Sequence, residues 1–134
     1  MRAERLTVDT AGRQVIDITD RVLGFAGDLN GDGLLSVFVP HATAGLALVE
    51  TGAGSEGDLV EAIERLLPRD GRYRHRHGSE GHGADHLLPA FVSASLVLPV
   101  VDGDVVLGMW QRVVIVDTNR ENNARSVLLS FVAG

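Results

Sequence analysis

The sequence contains no cysteine among its 134 residues. This absence excludes disulfide bonds, cysteine nucleophiles and thiolate ligands, so any bound metal must be held by histidine, carboxylate or water. No apolar run approaches the roughly 20 residues that a transmembrane helix needs. The opening stretch MRAERLTVDT also lacks the apolar run of a signal peptide. We therefore expect a cytoplasmic protein with no membrane partner.

Positive charge is scarce as well. Lysine and arginine number 12 against 18 aspartate and glutamate, which gives a formal net charge of −6. A nucleic-acid-binding protein usually carries a basic face, so we expect no nucleic-acid partner. The composition, 45% hydrophobic and 22% charged, is that of a globular protein. The length predicts one domain over residues 1–134.

The first half of the chain combines short strands with two helices. Alternating β-branched residues predict strands at 4–9 and 14–18, joined as a hairpin. A short helix is predicted over about 20–27. The NGDG turn at 30–33 opens a strand that ends at Pro40, and a further strand is predicted at 41–50.

The strongest helical pattern begins at Ser55 and stops at Pro68, with Glu56 and Asp58 in its first turn. After it, residues 69–85 are rich in glycine, arginine and histidine, which predicts a long loop. Long ordered loops in a compact domain are uncommon and often functional.

The second half is predicted to be strands. A turn at Asp102-Gly103 joins 91–101 to 104–117 as a hairpin, and a turn over 119–124 leads into the last strand. In total we count about seven mostly antiparallel strands and two helices. This mixture predicts the α+β class, with helices packed on an antiparallel sheet.

Four of the five histidines lie in the segment YRHRHGSEGHGADHLLP, residues 73–89: His75, His77, His82 and His86. A metal site, a catalytic base and a solvated polar loop are all compatible with this composition. His82 and His86 have the i, i+4 spacing of one helical face, but Gly81 and Gly83 argue against a helix there.

His41 follows Pro40 at a predicted strand boundary, and small side chains come after it. A single histidine in such a place is more often a structural hydrogen-bonding residue. Metal sites, however, are commonly assembled from a distant histidine and a histidine-rich loop, and imidazole is a common ligand. Glu50, at the end of the same strand, is either a surface charge or a residue of this site.

Several stretches together resemble the YjbQ-like family, whose members are often described as secondary thiamine-phosphate synthase enzymes. They are PHATAGLALVE at 40–50, ERLLP-x-DG-x-YRH at 64–75, HLLPAFVSASLVLPVVDG at 86–103 and the following VVLG-x-WQ. The resemblance runs nearly end to end and in order. It implies an α+β fold with a β-sandwich-like core.

The resemblance also implies site residues. His41, Glu50, His75 and His86 match family positions and are expected to be catalytic, with the three histidines also expected to hold a metal. The family's Gly-x-Trp-Gln falls on Trp110 and Gln111, which with Arg74 and Arg112 form the expected substrate contacts. His77 and His82 match no family position and are expected to lie outside the site.

The activity that the resemblance implies joins a pyrimidine pyrophosphate to a thiazole phosphate and gives thiamine phosphate. The implied partner is a small phosphorylated metabolite, and the implied assembly is a homotrimer with a histidine-rich pocket near a subunit interface. The expected cofactor is a divalent metal, zinc or Mg²⁺; three imidazoles suit zinc better, because Mg²⁺ prefers oxygen ligands. The alternatives are a noncatalytic metal- or metabolite-binding trimer and a structural domain with incidental histidines.

Overall fold

The computed structural model describes residues 1–121 and 123–134, which form eight strands and three helices. In chain order these are β1 (Arg2–Asp9), β2 (Val15–Asp17), α1 (Thr19–Ala26), β3 (Gly33–Phe38), β4 (Ala44–Val49), α2 (Ser55–Leu66), α3 (His82–Phe91), β5 (Ser95–Val101), β6 (Asp104–Val105), β7 (Arg112–Asp117) and β8 (Ala124–Ala133). The predicted α+β class is confirmed, as are both predicted helices, α1 and α2. The turn predicted over 119–124 includes Asn122, which lies outside the described residues.

The strands form two antiparallel sheets whose facing sides enclose the main core. One sheet has the order β1-β8-β3-β5-β6, and the other has the order β2-β7-β4. Leu35 and Leu129 from the larger sheet and Ile115 from the smaller one belong to the same buried cluster. The predicted sandwich-like core is therefore confirmed.

Strand β7 is enclosed on both of its faces. Val113 and Ile115 point into the core between the sheets, whereas Val114 and Val116 pack with residues of α2 and α3. All four side chains are fully buried. A nearly continuous apolar run is typical of a strand that is covered on both sides. Helices α2 and α3 thus form a third layer on the outer face of the smaller sheet.

Neither predicted hairpin forms as expected. Strand β1 pairs with β8 and β2 pairs with β7, so the two N-terminal strands belong to different sheets. In the second hairpin, the strand that β5 meets across the turn is the two-residue β6, and β7 lies in the smaller sheet. The reason is burial: β7 needs cover on both faces, and only the central position of the smaller sheet supplies it.

The structure adds helix α3 at the end of the segment for which the sequence predicts a loop. Gly81 precedes the helix with φ of 83°, a left-handed conformation that glycine adopts without strain. Gly83 lies in the first turn, where an added Cβ would be 2.6 Å from Tyr73 Cβ and 2.9 Å from the His75 carbonyl oxygen. The two glycines therefore start the helix and let the preceding loop approach it closely.

None of the helices among the described residues is long and apolar enough to cross a membrane.

The close approach at Gly83 gives a stability test. Gly83→Ala should lower the free energy of unfolding by about 1–3 kcal/mol, because the methyl group overlaps the loop backbone and must displace it. Gly57→Ala is the matched control: it lies in α2 with no atom within 4 Å of the new Cβ. We expect that change to be neutral or to stabilise by up to about 1 kcal/mol. Urea unfolding of both variants measures the difference, and equal midpoints would contradict the packing described.

Candidate metal centre

Four histidines meet where the loop before α3 passes over the first two turns of that helix. One nitrogen from each of His75, His77, His82 and His86 lies within 4.8 Å of the other three. The Nε2 atoms of His82 and His86 are 2.9 Å apart. His75 and His77 are exposed, His86 is partly buried, and His82 is buried. The cluster therefore reaches from the surface to the interior.

Local geometry explains why these side chains converge. His82 and His86 are one helical turn apart, so they lie on the same face of α3. The absence of a side chain at Gly83 lets residues 73–75 lie against that turn, which brings His75 to the same face. Two contacts hold the loop: the Tyr73 hydroxyl donates to the Pro68 carbonyl at 2.7 Å, and the Ser79 N–H donates to Glu121 Oε1 at 2.7 Å.

A buried carboxylate lies beneath the cluster. Asp85 is fully buried, and its Oδ1 accepts hydrogen bonds from Arg69 and from the Thr118 hydroxyl. Its Oδ2 is 3.7 Å from Nδ1 of His82, and neither of these two atoms has a hydrogen-bond partner. Asp85 thus links the end of α2, the end of β7 and the histidine cluster.

The surroundings of His86 favour its neutral imidazole. Burial, followed by the proximity of His75, His82 and His77, lowers the pKa of His86 below its ordinary value of 6.5. Protonating several clustered rings together is unfavourable, because like charges repel at these distances. Only a neutral imidazole has a free nitrogen lone pair, so this environment keeps a ligand-competent form at neutral pH.

The four imidazole nitrogens fit a divalent transition metal such as zinc, which binds nitrogen ligands well. Zinc–nitrogen bonds of about 2.0–2.1 Å place tetrahedral ligands roughly 3.4 Å apart, so modest side-chain rotations would bring the four nitrogens around one ion. An all-nitrogen set does not fit Mg²⁺, which prefers oxygen. The buried pair of unpartnered atoms, His82 Nδ1 and Asp85 Oδ2, also resembles the carboxylate–histidine arrangement found behind metal-bound histidines.

The predicted division of the histidines is wrong in one respect. His77 and His82, which the sequence places outside the site, both lie within the cluster. The signal that identifies His82 is the i, i+4 spacing with His86, which was discounted because of the neighbouring glycines. His77 joins because residues 75 and 77 both point from the loop towards the helix, with ring centroids 4.1 Å apart.

His41 is not part of this cluster among the described residues. Its Nε2 accepts a hydrogen bond of 2.8 Å from the Ser126 N–H. Burial, and next the positive charge of Arg125, lower its pKa below 6.5. A neutral His41 with its Nε2 lone pair engaged is a structural hydrogen-bonding residue within one chain. The predicted convergence of His41 with His75 and His86 is therefore wrong for a single chain.

A buried polar network lies near His41, and its charged members Arg125 and Asp117 act on the pKa of that histidine. Arg125 forms an ion pair with Asp117, at 2.6 Å from Nε to Oδ2, and also donates to the Thr43 hydroxyl. Asn119 donates to the same hydroxyl. The sequence patterns did not identify Arg125, since a lone arginine at a strand start carries no distinguishing pattern.

The remaining predicted site residues lie elsewhere. Val49 pairs with Arg112, whereas Ala44 pairs with Asp117, so Glu50, Gln111 and Arg112 are at one end of the smaller sheet. Thr118 and the histidine cluster are at the other end. The six residues of β7 separate these ends by roughly 20 Å. A single chain therefore does not unite the two predicted groups.

At that far end, Trp110 is 67% exposed, and the Gln111 side chain accepts from the Gly108 N–H. Arg112 pairs with Asp17, and this contact offsets the effect of burial and lowers the pKa of the Asp17 carboxyl. Arg74, by contrast, is exposed and directly precedes His75. Of the four predicted substrate contacts, only Arg74 is beside the histidine cluster.

A cavity of about 180 Å³ adjoins the cluster, lined among others by Tyr73, His75, Arg76 and His82. It offers a second arginine close to the imidazoles. An anionic group next to the cluster would therefore meet Arg76 there, with Arg74 in the same loop.

Comparison with known proteins agrees with this fold. A UPF0047 protein of Mycobacterium tuberculosis is 60% identical over 134 residues and covers all of both chains. A structure of a hypothetical protein from Aeropyrum pernix K1 has a TM-score of 0.89 at 33% identity and full coverage of both chains. A YbjQ-like protein from Sulfolobus solfataricus P2, 24% identical, has a TM-score of 0.90 over 99% of this chain and 97% of its own, a likeness of fold alone.

The family model for UPF0047 YjbQ-like proteins matches residues 4–134, nearly the whole of the chain. With the 60% identical relative, this match establishes that the chain belongs to the UPF0047 YjbQ-like family.

Proposed function

We propose that this protein binds a divalent transition metal such as zinc at the four-histidine centre. One observation carries the proposal: four imidazole nitrogens lie within 4.8 Å of one another, on a helix and a loop that the fold holds together. Clustered imidazoles repel one another when several are protonated. A metal ion removes this repulsion, because it accepts a lone pair from each neutral ring.

We further propose that the protein is an enzyme that acts on phosphorylated metabolites at this centre. A bound ion would supply Lewis-acid stabilisation to an oxygen anion. The chain's own contribution would be positive charge and orientation: Arg74 and Arg76 lie beside His75 in the loop and can contact a phosphate group. Family resemblance supports thiamine-phosphate synthase activity as the named form of this reaction. Departing pyrophosphate is usually stabilised by Mg²⁺ and cationic side chains, and here the arginines would provide the cationic part.

A homotrimer would reconcile the two separated groups of predicted residues. Glu50, Trp110 and Arg112 lie at the end of the smaller sheet opposite the histidines. In a cyclic assembly with head-to-tail contacts, one end of a subunit meets the other end of its neighbour. We propose that the complete site forms in this way, with Glu50 as a base or a supporting carboxylate. A cytoplasmic location remains a prediction from composition.

The second candidate is a noncatalytic metal-binding protein. The number of histidines favours it: four imidazoles fill all positions of a tetrahedral ion, whereas catalytic zinc sites keep one position open for water or substrate. The catalytic and the noncatalytic candidate differ in whether the exposed His77 is a ligand of the ion. X-ray absorption of the zinc-loaded protein distinguishes four nitrogen ligands from three nitrogens and an oxygen.

Metal affinity is the direct test of the centre. Each chain should bind one zinc ion. His82→Ala and His86→Ala should each weaken zinc binding by more than about 100-fold, which exceeds the loss typical of removing a residue that only hydrogen-bonds to a metal ligand. His77→Ala should also weaken it, because its nitrogen belongs to the set. His41→Gln is the matched control and should leave affinity unchanged. Calorimetry on folded variants decides, and a loss at His41 without one at His77 would contradict the centre described.

The pH dependence of zinc binding has a defined sign. Each ligand must be neutral, so affinity should be constant above about pH 7 and fall steeply below about 6.5, with more than one proton displaced. Because its pKa is lowered, His86 is protonated at a lower pH than an ordinary histidine would be. If protonated histidines bound a phosphate instead, inorganic phosphate affinity would rise as pH falls. Titrating both probes between pH 5.5 and 8 separates the two modes.

Subunit mixing tests the enzymatic and trimeric proposals together. Glu50→Gln and His86→Ala should each abolish thiamine phosphate formation. When the two variants are unfolded together and refolded as mixed trimers, about a quarter of the interfaces should combine both intact ends and regain turnover. Sedimentation of the mixture checks that trimers form. No recovery would place the whole site within one chain, and a wild-type protein that binds zinc without turnover would favour the noncatalytic candidate.

A further inference from the structure

Helix α3 contains the buried carboxylate of Asp85, and among the described residues only one of its two oxygens accepts hydrogen bonds. Both hydrogen bonds to Asp85, from Arg69 and from Thr118, fall on Oδ1. The other oxygen, Oδ2, is buried and has no hydrogen-bond partner among residues 1–121 and 123–134. An unpartnered buried carboxylate oxygen is unfavourable, because the carboxylate has lost its hydration without gaining a donor.

A candidate donor is on the same helix. Nδ1 of His82 is 3.7 Å from Oδ2, and it too is buried without a partner. The distance is longer than a hydrogen bond, but the two atoms are complementary if Nδ1 carries the proton. The i, i+3 spacing places Asp85 one turn after His82, so a small rotation of the imidazole closes the gap.

From this geometry we infer that Asp85 is a positioning residue, which holds the proton of His82 on Nδ1 and so leaves Nε2 free to bind the metal. The inference rests on the metal-binding function proposed above. Nε2 of His82 is the atom that faces the cluster, 2.9 Å from Nε2 of His86. The opposite tautomer would carry a proton on Nε2, where the ion must bind, and would leave Nδ1 as a second acceptor beside the carboxylate.

The fold fixes the carboxylate so that it can act in this way. Arg69 follows the end of α2, and Thr118 follows the end of β7. Their two hydrogen bonds prevent rotation of the carboxyl group and keep Oδ2 turned towards His82. Arg69 also balances the buried negative charge, since its own side chain is only 17% exposed. Three elements of structure therefore orient a single imidazole.

The tautomer can be observed in the metal-free protein. Long-range proton–nitrogen correlation spectra of ¹⁵N-labelled protein distinguish Nδ1–H from Nε2–H imidazoles. The signals of His82 are assigned by their loss in His82→Asn. We expect His82 as the Nδ1–H tautomer in the wild-type protein, and a predominant Nε2–H form would overturn the inference.

Zinc affinity supplies the second measurement. Asp85→Asn should weaken zinc binding by about 10–100-fold, because an amide can present its NH₂ group to Nδ1 and select the other tautomer. Asp70→Asn is the matched control: Asp70 is in the same region but pairs with Arg72 at the surface. Equal affinity of wild-type protein and folded Asp85→Asn would overturn the role of Asp85.

The outcomes separate this inference from the function on which it rests. If wild-type protein binds no zinc, the proposed function fails, whereas the spectrum still reports whether Asp85 selects the tautomer. If wild-type protein binds zinc and His82 is the Nε2–H form, only the inference fails. Should Asp85→Asn not fold, Thr118→Val removes one of the two contacts that orient the carboxylate without changing charge. In that variant we expect the Nδ1–H population of His82 to fall, and an unchanged population would contradict the orientation described.

Discussion

The burial of β7 on both faces is the constraint on which the rest of the structure depends. Its valines and isoleucine alternate between two hydrophobic clusters, so a sheet must cover one side and helices the other. This requirement separates β7 from β6, although the two are close in the chain. It also draws α2 and α3 onto the smaller sheet, and the residues that follow β7 then lie beside the start of α3. The position of the histidine cluster is thus a consequence of how one apolar strand is covered.

Polar groups at the C-terminal end of β7 connect this strand to β8 and to α3. Asp117 is neutralised by Arg125, and Thr118 reaches Asp85. Breaking a buried ion pair is strongly unfavourable because it leaves an uncompensated charge. The ion pair joins β7 to β8, and the Thr118 contact joins the end of β7 to α3. The histidines are therefore presented on a rigid base, although two of them are exposed.

Sequence patterns predicted the parts of the fold that local chemistry determines. Helix α2 has a helical repeat and a stop at Pro68, and most strands show alternating or continuous apolar residues. The pairing of strands was harder, because β1 and β2 are adjacent in the chain but join different sheets. Helix α3 was missed since Gly81 and Gly83 oppose a helix by propensity, and only the tertiary contact with Tyr73 explains Gly83. The histidine cluster likewise depends on tertiary structure. The sequence placed His75 and His86 together, but His82 joins them only because α3 forms. His41 is held away from them by its contact with Ser126.

All four histidines of the centre lie within residues 75–86, and this closeness affects the unfolded protein. Bringing ligands together over so short a segment requires little loop-closure entropy. The unfolded chain can therefore also gather several imidazoles around an ion. Stabilisation by a ligand is reduced by whatever affinity the unfolded state retains. Metal binding at this cluster would accordingly raise the stability of the fold by less than the affinity alone suggests, because a chain whose sheets have not assembled would bind the ion as well.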